Sequence, residues 1–421
     1  MGQLSQLAET LIGSEIVRLG NEIAIRVNKG EKIYNYTIGD FDPEIFPIPR
    51  ALEDEIVNAY RHHYTNYPAG DGILELRNSV KEFIKKYEGL DYAVNEIQIA
   101  SGGRPLIYSL FRTLVDPGDK VIYAVPSWNN NHYTHLNGGQ HCVIPTTPEN
   151  NFMPTAADIA PHISGAALLC LCTPQNPTGT TLDKAELEKI CDLVIEENKK
   201  RAEGEKKLFV MFDQMYFTLT YGEIKHYNPV SLRSEMRNYT VFIDGISKSL
   251  AATGVRVGWA LGPASVIAKM KALLSHIGAW APMAEQKATA KFLLMNDELD
   301  AFLSDFKKSL EEKLWKVYNG IIALKMKGYP VDAVAPQAAI YLTIKIDLKG
   351  QRIGDEVLVN QGDVTSYLLS HAQLAIVPFY AFGADKQSPW YRLSIGTCKD
   401  DEIAPMLTAL ESALQQLSVS N

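Results

Sequence analysis

Apolar and polar positions follow two rhythms along this chain. Short, nearly unbroken apolar runs fall at residues 96–100, 120–124, 166–171, 208–212 and 239–243, the pattern of strands buried in a parallel sheet. Around them, apolar residues recur at helical spacing over 51–60, 73–87, 105–114, 182–200 and 266–277, which predicts amphipathic helices. A further apolar run covers 255–261. Residues 4–27 predict a helix ending at Lys29-Gly30, and 33–38 a short strand. Toward the other end, helices are predicted over 284–294 and 299–326, the second long enough to join two domains. The remainder alternates short strands (339–346, 375–377, 391–395) with helices (363–371, 403–417).

Strands alternating with helices predict an α/β fold. At 421 residues the chain exceeds one simple core. The expectation is a large domain over 51–295, with a mostly parallel sheet flanked by helices, and a small α+β domain built from both chain termini. Residues 1–50 supply an N-terminal arm and part of that small domain, and 296–421 the rest.

Composition narrows the function classes. The chain is 46% hydrophobic and 21% charged, with a net charge of −8. A mildly acidic chain without a basic cluster argues against nucleic acid. No apolar run approaches the ~20 residues that span a bilayer, and no basic-then-apolar leader is visible at the start. The cysteines (Cys142, Cys170, Cys172, Cys191, Cys398) show no metal-ligand spacing. Cys170 and Cys172 alternate in an apolar strand, which suits core thiols in a reducing cytoplasm. No metal is expected.

Candidate chemistry centres on Lys248, which follows the buried run 239–243 at a Ser-Lys-Ser turn. An ammonium there loses hydration and its pKa falls, as an imine-forming lysine needs. Alone, a solvated loop lysine is the commoner reading. Arg256, eight residues on, adds a fixed cation suited to phosphate. The segment 101–104, Ser-Gly-Gly-Arg, joins a strand to a helix N-terminus and makes an anion cup of backbone N–H groups. Trp128 follows a proline turn at the carboxyl end of a strand, where α/β sheets bind ligands and a flat ring offers a stacking surface. Asp213 ends an apolar strand, a costly place for a carboxylate unless a cation or donor meets it. Arg392 opens an alternating strand with a fork suited to a carboxylate.

These segments, in this order from about residue 39 to 396, resemble the pyridoxal-phosphate aminotransferases of fold type I, class I/II. The motifs that carry the resemblance are Ser247-Lys248 with Thr253-Gly254 and Arg256-Val-Gly258, then Asn176-Pro-Thr-Gly179, Asp213 with Tyr216, the Tyr67 loop closing in Glu-Leu-Arg77, and Arg392 before Leu-Ser-Ile-Gly396. The resemblance implies pyridoxal 5'-phosphate held by Lys248 as a Schiff base, with Lys248, Tyr216 and Asp213 catalytic. It implies a phosphate cradle from Gly102, Gly103, Arg104, Ser247 and Arg256, and Trp128 stacked on the pyridine ring. Asp213 would meet the ring nitrogen, Tyr216 the 3-hydroxyl, and Asn176 both the 3-hydroxyl and the substrate carboxylate. Gly39 and Arg392 would bind that carboxylate. The Asn176–Pro177 bond is cis in relatives. Tyr67 would reach the cofactor phosphate of a partner protomer, which implies a homodimer with shared sites.

The implied reaction moves an amino group between an L-amino acid and a 2-oxo acid. A lyase or synthase on the same fold is the alternative, since it would use the same lysine, aspartate and phosphate cup. Dicarboxylate-specific relatives carry an arginine near 278–283; Trp280 stands there instead, which suggests a neutral, apolar or aromatic substrate. Three positions depart from the family pattern: Gly245 where many relatives have a phosphate-binding serine, and Ala338 and Phe379 where many have glycine. The polar run Asn129-Asn-Asn-His132 has no evident role.

Overall fold

A computed structural model describes residues 4–11, 13 and 15–419. Its centre is a seven-stranded sheet in the order Ile97–Ala100, Gly258–Leu261, Thr240–Gly245, Phe209–Asp213, Ala166–Cys172, Lys120–Val125, Gln140–Pro145. Neighbours from Thr240–Gly245 to Gln140–Pro145 run parallel. Gly258–Leu261 runs antiparallel to both of its neighbours. The apolar runs named above become strands because both sheet faces are covered. Ala166–Cys172 is buried at every position but the last. Gln140–Pro145 has no counterpart in the sequence reading. It is an edge strand with mostly exposed side chains, so it carries no apolar run to find.

The helices Arg50–Arg61, Leu74–Glu88, Gly103–Leu114, Lys184–Lys200 and Ala264–Ile277 match expectation to within two residues. Local chemistry sets their ends. Asp183 accepts from the Ala185 and Glu186 amides at the start of Lys184–Lys200, satisfying donors a helix N-terminus leaves free. Gly89 and Gly278 close two others in the left-handed conformation. The helix predicted over 4–27 is instead Gln6–Thr10 followed by Glu15–Asn28; at residues 12 and 14 that expectation lies outside the described residues.

A separate four-stranded antiparallel sheet runs Val377–Pro378, Trp390–Ser394, Tyr341–Ile346, Val331–Ala333. The N-terminal strand Tyr34–Asn35 pairs in parallel with Leu374–Ala375, which ties the two chain ends together. The 31-residue helix Asn296–Met326 links the two bodies. Leu299 and Leu303 lie in the core of the large sheet, whereas Phe306, Leu310, Leu314, Val317 and Ile321 lie in the second core. Each such buried side chain contributes ~1.5–3 kcal/mol, so one helix is anchored at both ends. Tyr34 and Tyr36 also join the second core, bringing the segment 37–40 to the edge of the large sheet.

Candidate active site

The carboxyl ends of the parallel strands open onto a cavity of about 720 Å3. Larger space exists elsewhere, a groove of about 930 Å3 beside Glu88 and Lys307, but the chemistry gathers in the smaller one. Its lining includes Gly39, Gly103, Arg104, Trp128, Asn176, Asp213, Tyr216, Ser247, Lys248, Arg256 and Arg392. The sequence therefore named a set of residues that folding brings to one place, from segments as far apart as 39 and 392.

Lys248 sits in the short helix Ile246–Ser249 that follows the strand Thr240–Gly245. Its Nζ donates to the Gly39 carbonyl oxygen at 2.5 Å and lies 5.5 Å from the Phe41 ring centre and 5.9 Å from that of Tyr216. Burial pulls its pKa down to about 8, opposed by Asp40 and reinforced by Arg392, Arg104 and Arg256. An amine so tuned is neutral, and therefore nucleophilic, in a far larger fraction of molecules near physiological pH than an ordinary lysine.

Arg256 holds a left-handed backbone conformation, φ 63°, which costs about 1–2 kcal/mol for a residue with a side chain. Its guanidinium offsets part of that by donating to the Thr253 carbonyl at 2.5 Å and the Ser101 carbonyl at 2.8 Å. The guanidinium thus lies against Gly102, where φ is 87° and a Cβ would stand 2.2 Å from Nη2. Gly102 caps and Gly103 opens the helix Gly103–Leu114; the Gly102 amide donates to the Ala100 carbonyl at 2.7 Å, so it is the amides from Gly103 onward that face the volume beside the guanidinium. Arg104 follows, exposed at the cavity wall, its guanidinium carbon 5.4 Å from the Trp128 ring centre. Among the described residues Arg104 has no hydrogen bond or ion pair.

Asp213 ends its strand with the backbone amide of Met215 as donor, at 3.2 Å. Burial lifts its carboxyl to about 6, against the lowering effect of the Met215 amide and Cys172. Such a group is held ready for a cationic partner. Arg392 is 2% exposed; Nη1 donates to Asn176 Oδ1 at 3.0 Å and Nη2 to the Thr37 carbonyl at 2.6 Å, while Nε has no partner among the described residues. Burial pulls its pKa down. A Cβ on Gly39 would lie 3.4 Å from Nη1, so glycine keeps the approach to this cation open. The Asn176–Pro177 bond is cis, as are Thr173–Pro174 and Val125–Pro126.

Two expected residues lie elsewhere. Tyr67 is 82% exposed and packs edge-on against Trp280, ring centres 5.1 Å apart. Both line a separate surface pocket, so the inference drawn from Trp280 about substrate finds no support within this chain's own cavity. Ala338 and Phe379 are buried and do not line the cavity either: the Ala338 amide donates to the Gly179 carbonyl, and Phe379 packs edge-on against Phe152. Glycine at 245 has a local cause. A Cβ there would come within 2.7 Å of Gly258 Cα on the neighbouring strand, leaving the nearby hydroxyl to Ser247, which does line the cavity. The run Asn129-Asn-Asn-His132 starts the helix Asn130–Leu136, with Asn130 donating to Ser127 Oγ at 3.4 Å. Sequence reasoning gave no role to Thr37, Asp40, Thr253 or Tyr341, all of which line the cavity. Asp40 Oδ1 accepts from Thr253 Oγ1 at 2.6 Å. Only Thr253 lay inside a quoted motif.

The residues fit a phosphorylated, cationic ring. The backbone amides and Arg256 offer an anion cradle, Trp128 a flat wall, Asp213 a half-buried carboxylate without an ion-pair partner among the described residues, and Lys248 a lowered amine. An α/β sheet with this lysine-centred set at its carboxyl edge is the architecture of fold type I. The family model Aminotransferase class I and II matches residues 31–410, and the chain belongs to that family. It is 27% identical over 414 residues to an aspartate aminotransferase of Rhizobium meliloti (strain 1021), covering 96% of this chain and 94% of that protein. It is 29% identical to an aspartate aminotransferase of Bacillus sp. (strain YM-2), covering 82% and 84%. The crystal structure of an aspartate aminotransferase from Rhizobium meliloti superposes with a TM-score of 0.90 at 25% identity, covering 99% of this chain and 100% of that one. That of Thermus thermophilus with maleate gives 0.86 at 25% identity, covering 98% and 100%. The protein is an aminotransferase, and its family implies pyridoxal phosphate. Among the described residues no helix is long and apolar enough to cross a membrane.

Proposed function

We propose that this protein transfers the amino group of an L-amino acid to a 2-oxo acid with Lys248 as both cofactor anchor and proton carrier. The observation that carries this is the lowered amine of Lys248 inside a cavity that also holds Asp213, Arg256 and Arg392. Gly102, Gly103, Ser247 and Arg256 would hold the phosphate, Trp128 would cover one ring face, and Tyr216 and Asn176 would meet the 3-hydroxyl. When bound, the cofactor supplies an electron sink for the pair left at the substrate's α-carbon. Asp213 keeps the ring nitrogen protonated. Arg392 and Asn176 seat the α-carboxylate, with Gly39 leaving room beside them. Lys248 would take the substrate's α-proton and return it, a role worth typically about 10²–10⁴-fold. Among the described residues nothing favours the lyase or synthase alternative.

The preferred substrate carries a second carboxylate. Arg104 stands on the cavity wall with no hydrogen-bond or ion-pair partner among the described residues, its guanidinium resting only against Trp128, and such a guanidinium suits an anionic side chain. The similar proteins are named aspartate aminotransferases, and the Thermus one was solved with maleate, a dicarboxylate. A second reading, an apolar or aromatic substrate as the sequence suggested, is favoured by the wall of Ile16, Ile38, Ile107 and Trp128. The test converts the bound cofactor to its amine form with single amino acids. Aspartate or glutamate should react fastest, and Arg104→Gln should erase that preference; faster reaction with methionine or phenylalanine would establish the second reading instead.

Two copies complete the site: Tyr67 projects from each chain to the phosphate of the other. Its exposure in a single chain supports this, and sedimentation should give a dimer. We place the large domain at 51–295, the arm at 1–50 and the rest of the small domain at 296–421, in a cytoplasmic protein; limited proteolysis tests the boundaries and fractionation the compartment.

A further inference from the structure

The strand Tyr341–Ile346 places a tyrosine at the centre of the site. Tyr341 is buried, with the Arg392 guanidinium carbon 4.8 Å from its ring centre. Its hydroxyl is 2.6 Å from that of Tyr216, and the rings meet edge-on at 5.6 Å. A Cβ on Gly39 would stand 2.9 Å from the same hydroxyl. One side chain thus touches three positions assigned to the cofactor or the substrate.

Two neutral hydroxyls this close share one proton along the line between them, and the second proton points elsewhere. Burial pushes both phenols up, so both are neutral at physiological pH. Among the described residues neither hydroxyl has another hydrogen-bond partner. Were Tyr216 the donor, the spare proton would be that of Tyr341, beside Arg392. A guanidinium accepts no hydrogen bond, and its charge makes the phenol next to it the better donor. With Tyr341 as donor, the spare proton belongs to Tyr216, whose hydroxyl shares the cavity with Lys248 and Asp213.

We propose that Tyr341 is a positioning residue: it donates its proton to Tyr216 Oη and so turns the Tyr216 proton toward the 3-oxygen of the cofactor. This rests on the assignment of Tyr216 made under Proposed function. No bond to carbon forms or breaks in this role; Tyr341 acts through the orientation of one O–H group.

The experiment follows the visible absorbance of the lysine-bound cofactor against pH in the holoenzyme. A hydrogen bond from Tyr216 to the 3-oxygen stabilises the deprotonated chromophore, so Tyr216→Phe should raise the midpoint. Tyr341→Phe, which keeps the ring under Arg392, should raise it by about 0.5–1 pH unit, the size of one net hydrogen bond. In the Tyr216→Phe background, Tyr341→Phe should add nothing, because the group it orients is gone. Replacing Tyr341 by 3-fluorotyrosine, a more acidic phenol of the same reach, should lower the midpoint by strengthening that donor, and covers the case in which phenylalanine does not fold. Equal shifts in both backgrounds, or an unmoved midpoint in Tyr341→Phe while Tyr216→Phe shifts, would overturn the proposal. An unmoved midpoint in Tyr216→Phe would instead sink the assignment of Tyr216 itself.

Discussion

Lys248 Nζ is hydrogen-bonded to the carbonyl oxygen of Gly39, 209 positions away in the chain. That contact joins the segment leading from the small sheet to the carboxyl edge of the large one. It also holds the amine beside the residues expected to seat a substrate carboxylate.

Reactivity of that amine should track its lowered pKa. In cofactor-free protein, the rate of coupling to pyridoxal phosphate should rise with pH around a midpoint near 8, against 10.5 for an ordinary lysine. Lys248→Ala should abolish coupling at this site and lower the half-reaction rate by about 10²-fold or more. Stability follows the same shift. The unfolded chain binds more protons than the folded one between about 8 and 10.5, so this group's contribution to stability rises as pH climbs through that window. Borohydride trapping with peptide mapping reads the coupling; a midpoint near 10 would contradict the burial argument.

Asp213 gives the opposite sign. Its folded pKa of about 6 lies above 3.8, so the folded chain binds more protons in that interval. Its contribution to the stability of the cofactor-free protein is fully present below 3.8 and lost as pH rises to about 6. Asp213→Asn should therefore flatten that part of the melting-temperature profile in the cofactor-free state. In the holoenzyme it should lower kcat by about 10²–10³-fold, as loss of a preorganised charge does. Unchanged turnover would remove Asp213 from the ring nitrogen.

Gly102→Ala combines strain with collision. The new Cβ would sit at φ 87° and 2.2 Å from the Arg256 guanidinium. Displacing that guanidinium should weaken retention of pyridoxal phosphate by about 10-fold or more, or ~1.4 kcal/mol. Equilibrium dialysis at several phosphate concentrations measures it, and wild-type affinity would mean the anion sits elsewhere.

Arg392→Lys keeps the charge and loses the fork. The bonds to Asn176 and the Thr37 carbonyl leave from two separate nitrogens of one planar fork, a geometry that a single ammonium nitrogen does not reproduce. KM for the amino acid should rise about 10–100-fold, the loss expected for charge-assisted bonds of ~1.5–3 kcal/mol, while cofactor affinity stays unchanged. Steady-state kinetics beside a cofactor titration separates the two.

Much of this was legible before folding. Buried strands read as apolar runs, and Lys248, Asp213, Asn176 and Arg256 each stand next to a strand end or tight turn, where a polar group needs a reason. The edge strand Gln140–Pro145 was not legible, because its exposed side chains leave no hydrophobic signature. Tyr341 escaped for the converse reason: in an apolar strand a tyrosine looks like core, and only the crossing of that strand over Tyr216 reveals its hydroxyl.

The sequence by itself determined the α/β architecture and the chemical types gathered at the sheet edge, since periodicity and turn residues are local properties of the chain. Tertiary structure alone decided that Trp280 lies outside the cavity, against Tyr67, and that Arg104 lacks an ion-pair partner among the described residues. It also decided that position 245 is glycine because Gly258 lies against it. These are contacts between segments far apart in the chain, and distance in space is set by packing, which no local pattern encodes.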